Sequence, residues 1–327
     1  MPFVRAMRLP LVALLAACTL AVWPDAARAE YPDKPIRLIV PQAAGSATDT
    51  VARILAAELG PQLNNQTIVV ENRPGASGMI GTEQVSRAAP DGNTLLMTAN
   101  TYLIDAQTRK ANYHPVTAFA PICYLVQSPA VFVVNSASPY KSLKDLLDDA
   151  RKRPGELSMA AVGPGSTFQM GFTQMTKAAG VTMTYVPYQG SAPAATAVMG
   201  QHVTSAFAGW AVVSENVKAD KLRVLGVATA KRIEPLPDVP TFDEQGFKNL
   251  EVDNWFGIVA PAHTPKETIA QISGWLQAAL KEPEVKAKLA LQGLYPVGQC
   301  GDEFASYVSR RFGEYGEMIK ESNIKAE

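Results

Sequence analysis

The chain has 327 residues, 47% hydrophobic and 18% charged, with 30 basic and 30 acidic side chains. That composition excludes a disordered tail protein, and a neutral chain without a basic cluster argues against a nucleic-acid partner. At about 150 residues per domain the length accommodates two cores, and three cysteines with no C-x-x-C pairing leave neither a zinc ribbon nor a redox motif.

Arg5 and Arg8 precede an apolar run from Leu9 to Trp23, which Pro24 and Asp25 end just before Ala27-Arg28-Ala29. Charged, apolar and small-residue segments in that order predict a secretory signal peptide, residues 1–29, and a periplasmic product. The run is short of the roughly 20 apolar residues of a spanning helix. Leu15-Ala16-Ala17-Cys18 offers an alternative, a lipoprotein cleavage box that would lipidate Cys18. Export permits a disulfide between Cys123 and Cys300. Their sequence separation does not place them within reach of each other, and two independently buried thiols are the simpler expectation.

Ile36–Val40 reads as a strand, followed by a Gly45-Ser46 turn and a helix over Asp49–Leu59 with Val51, Ile54, Leu55 and Leu59 on one face. Gly60 is placed to end that helix in the left-handed conformation. Thr67–Val70 and Thr94–Thr98 are further strands, separated by the turns Asn72–Gly75 and Ala89–Gly92. A second series begins near Val131–Val134. Ser142 and Asp145 form a capping box for a helix through Lys152, which Pro154-Gly155 stops. Leu157–Val162 leads through Gly163-Pro164-Gly165-Ser166-Thr167 into a helix over Phe168–Ala179, and strands follow at Val181–Val186, Val203–Phe207, Leu222–Ala228 and Trp255–Ala260. Helices over Lys266–Leu280, Pro283–Leu291 and Glu303–Lys320 close the chain. Strands alternating with helices predict an α/β fold with mixed sheets covered on both faces.

Catalytic constellations are missing: the chain has no H-E-x-x-H, G-x-S-x-G, P-loop or complete G-x-G-x-x-G. His114, His202 and His263 are scattered. Arg73, Arg87 and Arg109 suit loop bracing better than ligand contact. The chemistry that remains is two Ser/Gly loops, Gly45-Ser46 and Gly165-Ser166-Thr167, each following a strand and opening a helix. In open α/β sheets ligands bind at the carboxyl ends of strands, where helix N-termini attract anions. Neither loop carries Lys or Arg, so a carboxylate is expected to meet backbone amides and hydroxyls.

Several blocks resemble one known family. They are Tyr31–Pro41, Val69-Val70-Glu71-Asn72-Arg73-Pro74-Gly75-Ala76 with Gly78 and Gly81, Ala89-Pro90-Asp91-Gly92, Tyr188–Ala194, Asp238-Val239-Pro240-Thr241, and Trp255-Phe256-Gly257 through Thr264-Pro265. Over essentially the whole mature chain, in order, they are similar to the substrate-binding receptors of tripartite tricarboxylate transporters, the Bug family.

The resemblance implies a two-lobed periplasmic binding protein fold of type II, with lobes at residues 30–128 plus 256–327 and at 129–255, crossing near Ser128–Val131 and Asn254–Phe256. It implies a monomeric, non-enzymatic receptor that needs no cofactor or metal. Such a receptor captures a small organic carboxylate and delivers it to membrane permease subunits; the alternative is a sensor presenting the same ligand to a signalling receptor. Carried onto this sequence, the ligand-binding set is Gln42, Ala44, Gly45, Ser46 and Asp49 in the first loop, Asn100 and Thr101, then Gly165, Ser166 and Thr167 in the facing loop, with Tyr188, Gly209 and Trp210. The chain departs from the family pattern at Gln42 for Phe, Ala44 for Pro, Ser46 for Gly, Gln169 for His, and Ala208 for an Asp. An acid lost beside the ligand argues mildly against an amino-acid ligand, whose ammonium would want that partner.

Overall fold

In the computed structural model, residues 31–60, 63, 66–162, 166–188, 190–252 and 254–321 are described. The signal-peptide expectation, Cys18 and Gly165 lie outside those residues.

Strand β1 (Ile36–Val40) enters the core immediately and pairs in parallel with β2 (Ile68–Asn72) and β3 (Thr94–Ala99). Helix α1 (Ala47–Leu59) connects the first two, and α2 (Met79–Ser86) leads from β2 towards β3. After α3 (Thr101–Thr108) comes β4 (Phe119–Ser128), which antiparallel β10 (Asn254–Pro261) joins to β3, while β11 (Tyr295–Cys300) covers the far edge of β4. The six strands lie in the order β11-β4-β10-β3-β1-β2. A second, five-stranded sheet has the order β7-β6-β8-β5-β9, built from β5 (Ala130–Asn135), β6 (Ser158–Val162), β7 (Thr184–Tyr188), β8 (Ser205–Gly209) and β9 (Leu222–Val227). Its helices are α4 (Leu143–Lys152), α5 (Thr167–Ala179), α6 (Ser191–Met199) and α7 (Trp210–Lys218), and α8 (Lys266–Ala279), α9 (Pro283–Ala290) and α10 (Asp302–Glu321) return to the larger sheet. Mixed sheets with helical cover are the architecture the alternating pattern anticipates. Each sheet carries apolar clusters of its own, around Leu38, Val51 and Ile258 on the larger and around Phe132, Phe207 and Phe242 on the smaller.

Local chemistry explains most boundaries. The Ser142 hydroxyl accepts the Asp145 amide and the Asp145 carboxylate accepts the Ser142 amide, so the capping box opens α4 as read. Gly60 departs from expectation. It is right-handed at φ −45°, and its carbonyl accepts the Leu63 amide at 3.3 Å. The strand expected at Val181–Val186 sits later, at Thr184–Tyr188, in parallel register with β6.

The cysteines also depart from expectation, because Cys123 and Cys300 form a disulfide. They are directly opposed on β4 and β11, a pairing that brings together positions 177 residues apart and that no local pattern announces.

One segment joins the sheets where β4 ends at Ser128 and β5 begins at Ala130, and Asn254, the first residue of β10, lies opposite Ser128. Ala99, ending β3, pairs with Phe256, and Gly209, ending β8, pairs with Ala130. The carboxyl ends of β3 and β8, one in each sheet, therefore abut the same crossover.

Candidate functional site

Past Val40 the chain turns through Gln42, Ala43 and Ala44 to Gly45, whose φ of +81° lies in the region that favours glycine. The Gly45 amide donates to Asp49 Oδ2 at 2.9 Å, and the Ser46 hydroxyl caps α1 by accepting the Asp49 amide at 3.2 Å. Asp49 is buried and receives two more donors, Asn72 Nδ2 at 2.9 Å and Arg53 Nε at 3.0 Å. Burial pushes its carboxyl up, but those donors outweigh burial and hold it below the usual range. Asn72 also donates to the Gln42 carbonyl at 3.1 Å, and Thr48 Oγ1 donates to Gln42 Oε1 at 2.6 Å. The first loop is therefore braced by its own helix. Gly45 contributes a backbone conformation, since its amide is taken and an added Cβ would meet nothing within 4 Å. The amides of Ala47 and Thr48 belong to the first turn, which no intrahelical carbonyl can satisfy, and they lie at the positive end of the α1 dipole.

The same device recurs on the smaller sheet. Ser166 caps α5, its hydroxyl accepting the Gln169 amide at 3.2 Å, with Thr167 buried behind it. Tyr188 closes β7 and leans on the core of its sheet. The Ser191 hydroxyl accepts the Gly209 amide at 3.2 Å. The Trp210 amide donates to the Pro129 carbonyl at 2.8 Å and its indole N–H to the Tyr295 hydroxyl at 3.0 Å, leaving the residue 4% exposed. Asn100 donates from Nδ2 to Asn254 Oδ1 at 3.1 Å, beside the exposed Thr101. Strand register brings Asn100–Thr101 and Gly209–Trp210 to the crossover from opposite sheets. Ala44, Gly45 and Ser46 form the tip of the first loop.

An open depression of about 360 Å³ lies between the first loop, the turn before α2 and the first turns of α3. Gln42 and Thr101 line it together with two residues that sequence reasoning missed, Ser77 and Asp105. Ser77 has φ +56° inside the turn Ala76–Gly78, and the start of α2 packs close against the residues just past β1 and β2 because Gly81 has no side chain: a Cβ there would stand 2.7 Å from the Arg73 carbonyl oxygen and 3.2 Å from Pro41 Cα. Asp105 follows Thr101 by four residues, so it shares the helix face that opens on the depression. Burial pushes its carboxyl up to about 6, partly countered by Arg109 at 3.7 Å. Ala208, where the family pattern has an acid, is wholly buried inside β8 opposite Val131.

Arg73 and Arg87 pair with Glu71 and Glu83 as braces. Among the described residues no group of His, Cys, Asp and Glu could hold a metal ion, and no helix is long and apolar enough to cross a membrane.

Comparison with known proteins fits this geometry. Residues 51–324 match the model of the tripartite tricarboxylate transporter family receptor. A ligand-free TctC solute-binding protein from Polaromonas superposes with a TM-score of 0.82 at 27% identity, covering 89% of this chain and 99% of that one. Two Rhodopseudomonas palustris structures are also similar. Rpa4515 with adipate gives a TM-score of 0.65 at 29% identity, covering 90% of this chain and 99% of its own. MatC with bound malate gives 0.61 at 26%, covering 88% and 100%. The family is one of substrate-binding receptors and not of enzymes, and its members are periplasmic binding proteins. With the greater part of its length matched by the family model and two mixed sheets meeting at one crossover, the chain belongs to the tripartite tricarboxylate transporter receptor family.

Proposed function

We propose that the protein is an exported, monomeric receptor whose lobes, residues 30–128 with 256–327 and residues 129–255, close on a small aliphatic dicarboxylate and deliver it to the permease subunits of a tripartite transporter. The observation that carries this reading is the matched pair of serine-capped helices, α1 and α5, each opening a loop after a strand of a different sheet. Two helix N-termini suit a ligand with a carboxylate at each end, as in the adipate and malate of the similar R. palustris proteins. The ligand-binding set of this reading is Gln42, the Ala44–Asp49 loop, Asn100, Thr101, Gly165–Thr167, Tyr188 and Gly209–Trp210, extended by Ser77. Residues 1–29 serve as the leader, so the mature chain starts at Glu30.

A thermal-shift series with adipate, malate, citrate and benzoate tests the reading. Free ligand at 100 times Kd stabilises the folded state by about 2.7 kcal/mol, which moves the midpoint by several degrees. A rise with a dicarboxylate and none with benzoate is expected; a flat response to all four at millimolar concentration overturns it.

A further inference from the structure

The backbone of Tyr295 belongs to the larger sheet, where it begins β11 and pairs with Gln127 of β4. Its side chain belongs elsewhere, packing against the apolar cluster of the smaller sheet that contains Val131, Ala208, Trp210 and Val213. There its hydroxyl accepts the Trp210 indole N–H at 3.0 Å. A second close approach supports this contact. Gly293, two residues earlier and at φ +66°, lies so near the first turn of α7 that a Cβ on it would collide with Ala211. The Trp210 amide is meanwhile held by Pro129 inside the crossover. The far end of β11 is tied to β4 by the Cys123–Cys300 disulfide. Strand β11 is thus fastened to one sheet at its end and plugged into the other at its start.

We propose that Tyr295 is a positioning residue for ligand capture: through the Trp210 indole it holds the Gly209–Trp210 junction, at the carboxyl end of β8, in register with the crossover. The consequence for the ligand rests on the receptor function proposed above; the consequence for the junction itself does not. Tyr295 has no place in the sequence motifs, and it acts on the site only through Trp210. Without its hydroxyl the indole N–H stays buried with its acceptor gone, and the first turn of α7 loses its tie to the other sheet.

Hydrogen exchange on the ligand-free protein, with wild type, Tyr295→Phe, Trp210→Phe and the double variant, tests the junction. In Tyr295→Phe, amides 209–213 are expected to exchange about 5-fold faster, as loss of one buried hydrogen bond allows, while those of β1 and β3 keep their rates. The double variant should exceed Trp210→Phe alone by less than Tyr295→Phe exceeds wild type, because one interaction is removed twice. Unchanged rates at 209–213, a uniform rise throughout the chain, or strict additivity would overturn the proposal. Calorimetry with malate and adipate supplies the functional arm. Whichever of them the wild type binds should bind Tyr295→Phe about 5-fold more weakly, and equal affinity overturns the ligand part. If wild type binds neither, the receptor reading fails for these ligands while the exchange data still decide the junction.

Discussion

The Asp49 carboxylate accepts the Gly45 amide at 2.9 Å, so the loop that opens α1 is shaped by its own helix before any ligand arrives. Arg53 and Asn72 complete the set of donors around that carboxylate. Asp49 thereby ties the Gly45 turn to α1 and β2.

Asp49→Asn turns one acceptor oxygen into a donor that must face either Gly45, Arg53 or Asn72. A hydrogen bond to a charged group contributes about 1.5–3 kcal/mol, so a loss near 2 kcal/mol is expected in denaturant unfolding. Gly45→Val should cost about 1–2 kcal/mol through backbone strain at positive φ, not by steric occlusion, since space for a Cβ is open. Gly45→Asn, which tolerates that conformation, should recover most of the loss. If the valine and asparagine variants melt alike, backbone strain is not the cause.

Much of the fold is legible in the sequence because its signals are local. Ser46, Ser142 and Ser166 each announce a helix, and each accepts the amide three residues on. Strands β4 and β11 are illegible for the opposite reason. Phe119–Ser128 carries Pro121 and lies between two partners, so neither alternation nor composition marks it, and its register with β10 shifts at Val259, opposite that proline. Tyr-Pro-Val-Gly-Gln-Cys reads as a loop, yet an edge strand with an irregular register tolerates both Pro296 and Gly298. The disulfide and the Trp210–Tyr295 contact depend on that unannounced strand. Ser77 and Asp105 reach the depression through a tight turn and one helical turn, neither of which a motif records.

The Cys123–Cys300 disulfide closes a loop of 177 residues that includes the whole of the smaller sheet. In the chain-entropy account, a loop that long restricts the unfolded state by about 5 kcal/mol. Reduction, or Cys123→Ala with Cys300→Ala, should lower the unfolding free energy by an amount of that order. Urea titration with and without reductant measures it, and coincident curves would refute the stabilising role.

Arg311 is wholly buried on α10, donating to Glu314 at 2.9 Å, to the Tyr315 hydroxyl at 2.9 Å and to the Glu251 carbonyl at 3.0 Å. Arg310 beside it holds the Glu251 carboxylate at 3.1 Å. Helix α10 therefore grips the segment that returns the chain to the larger sheet. Arg311→Met removes a buried partner from this network and should cost about 3 kcal/mol. Arg310→Met, at a more exposed position, should cost well under half as much. Equal losses in chemical denaturation would mean that burial does not set the difference.

The last expectation concerns pH. Burial holds the Asp105 carboxyl up at about 6, against 3.8 when unperturbed, so the folded state binds this proton more tightly than the unfolded one. Its contribution to stability is full below about pH 4 and is lost as pH rises through 6. Glu71 runs the other way. The Arg37 guanidinium, donating at 2.7 Å, outweighs burial and, with Arg73, holds that carboxyl at about 2, so its contribution is full above 4.5 and is lost as pH falls towards 2. Asp105→Asn removes only the first effect. The melting midpoint of the variant minus that of wild type should therefore increase from pH 4 to pH 7, and level off above it. Protonation also removes a negative charge from the depression that Gln42 and Thr101 share, so a carboxylate that remains ionised should bind wild type more tightly at pH 5 than at pH 7. Scanning calorimetry of both proteins across that range decides the matter. A midpoint difference constant from pH 4 to 7 would show that the Asp105 carboxyl titrates at its ordinary value.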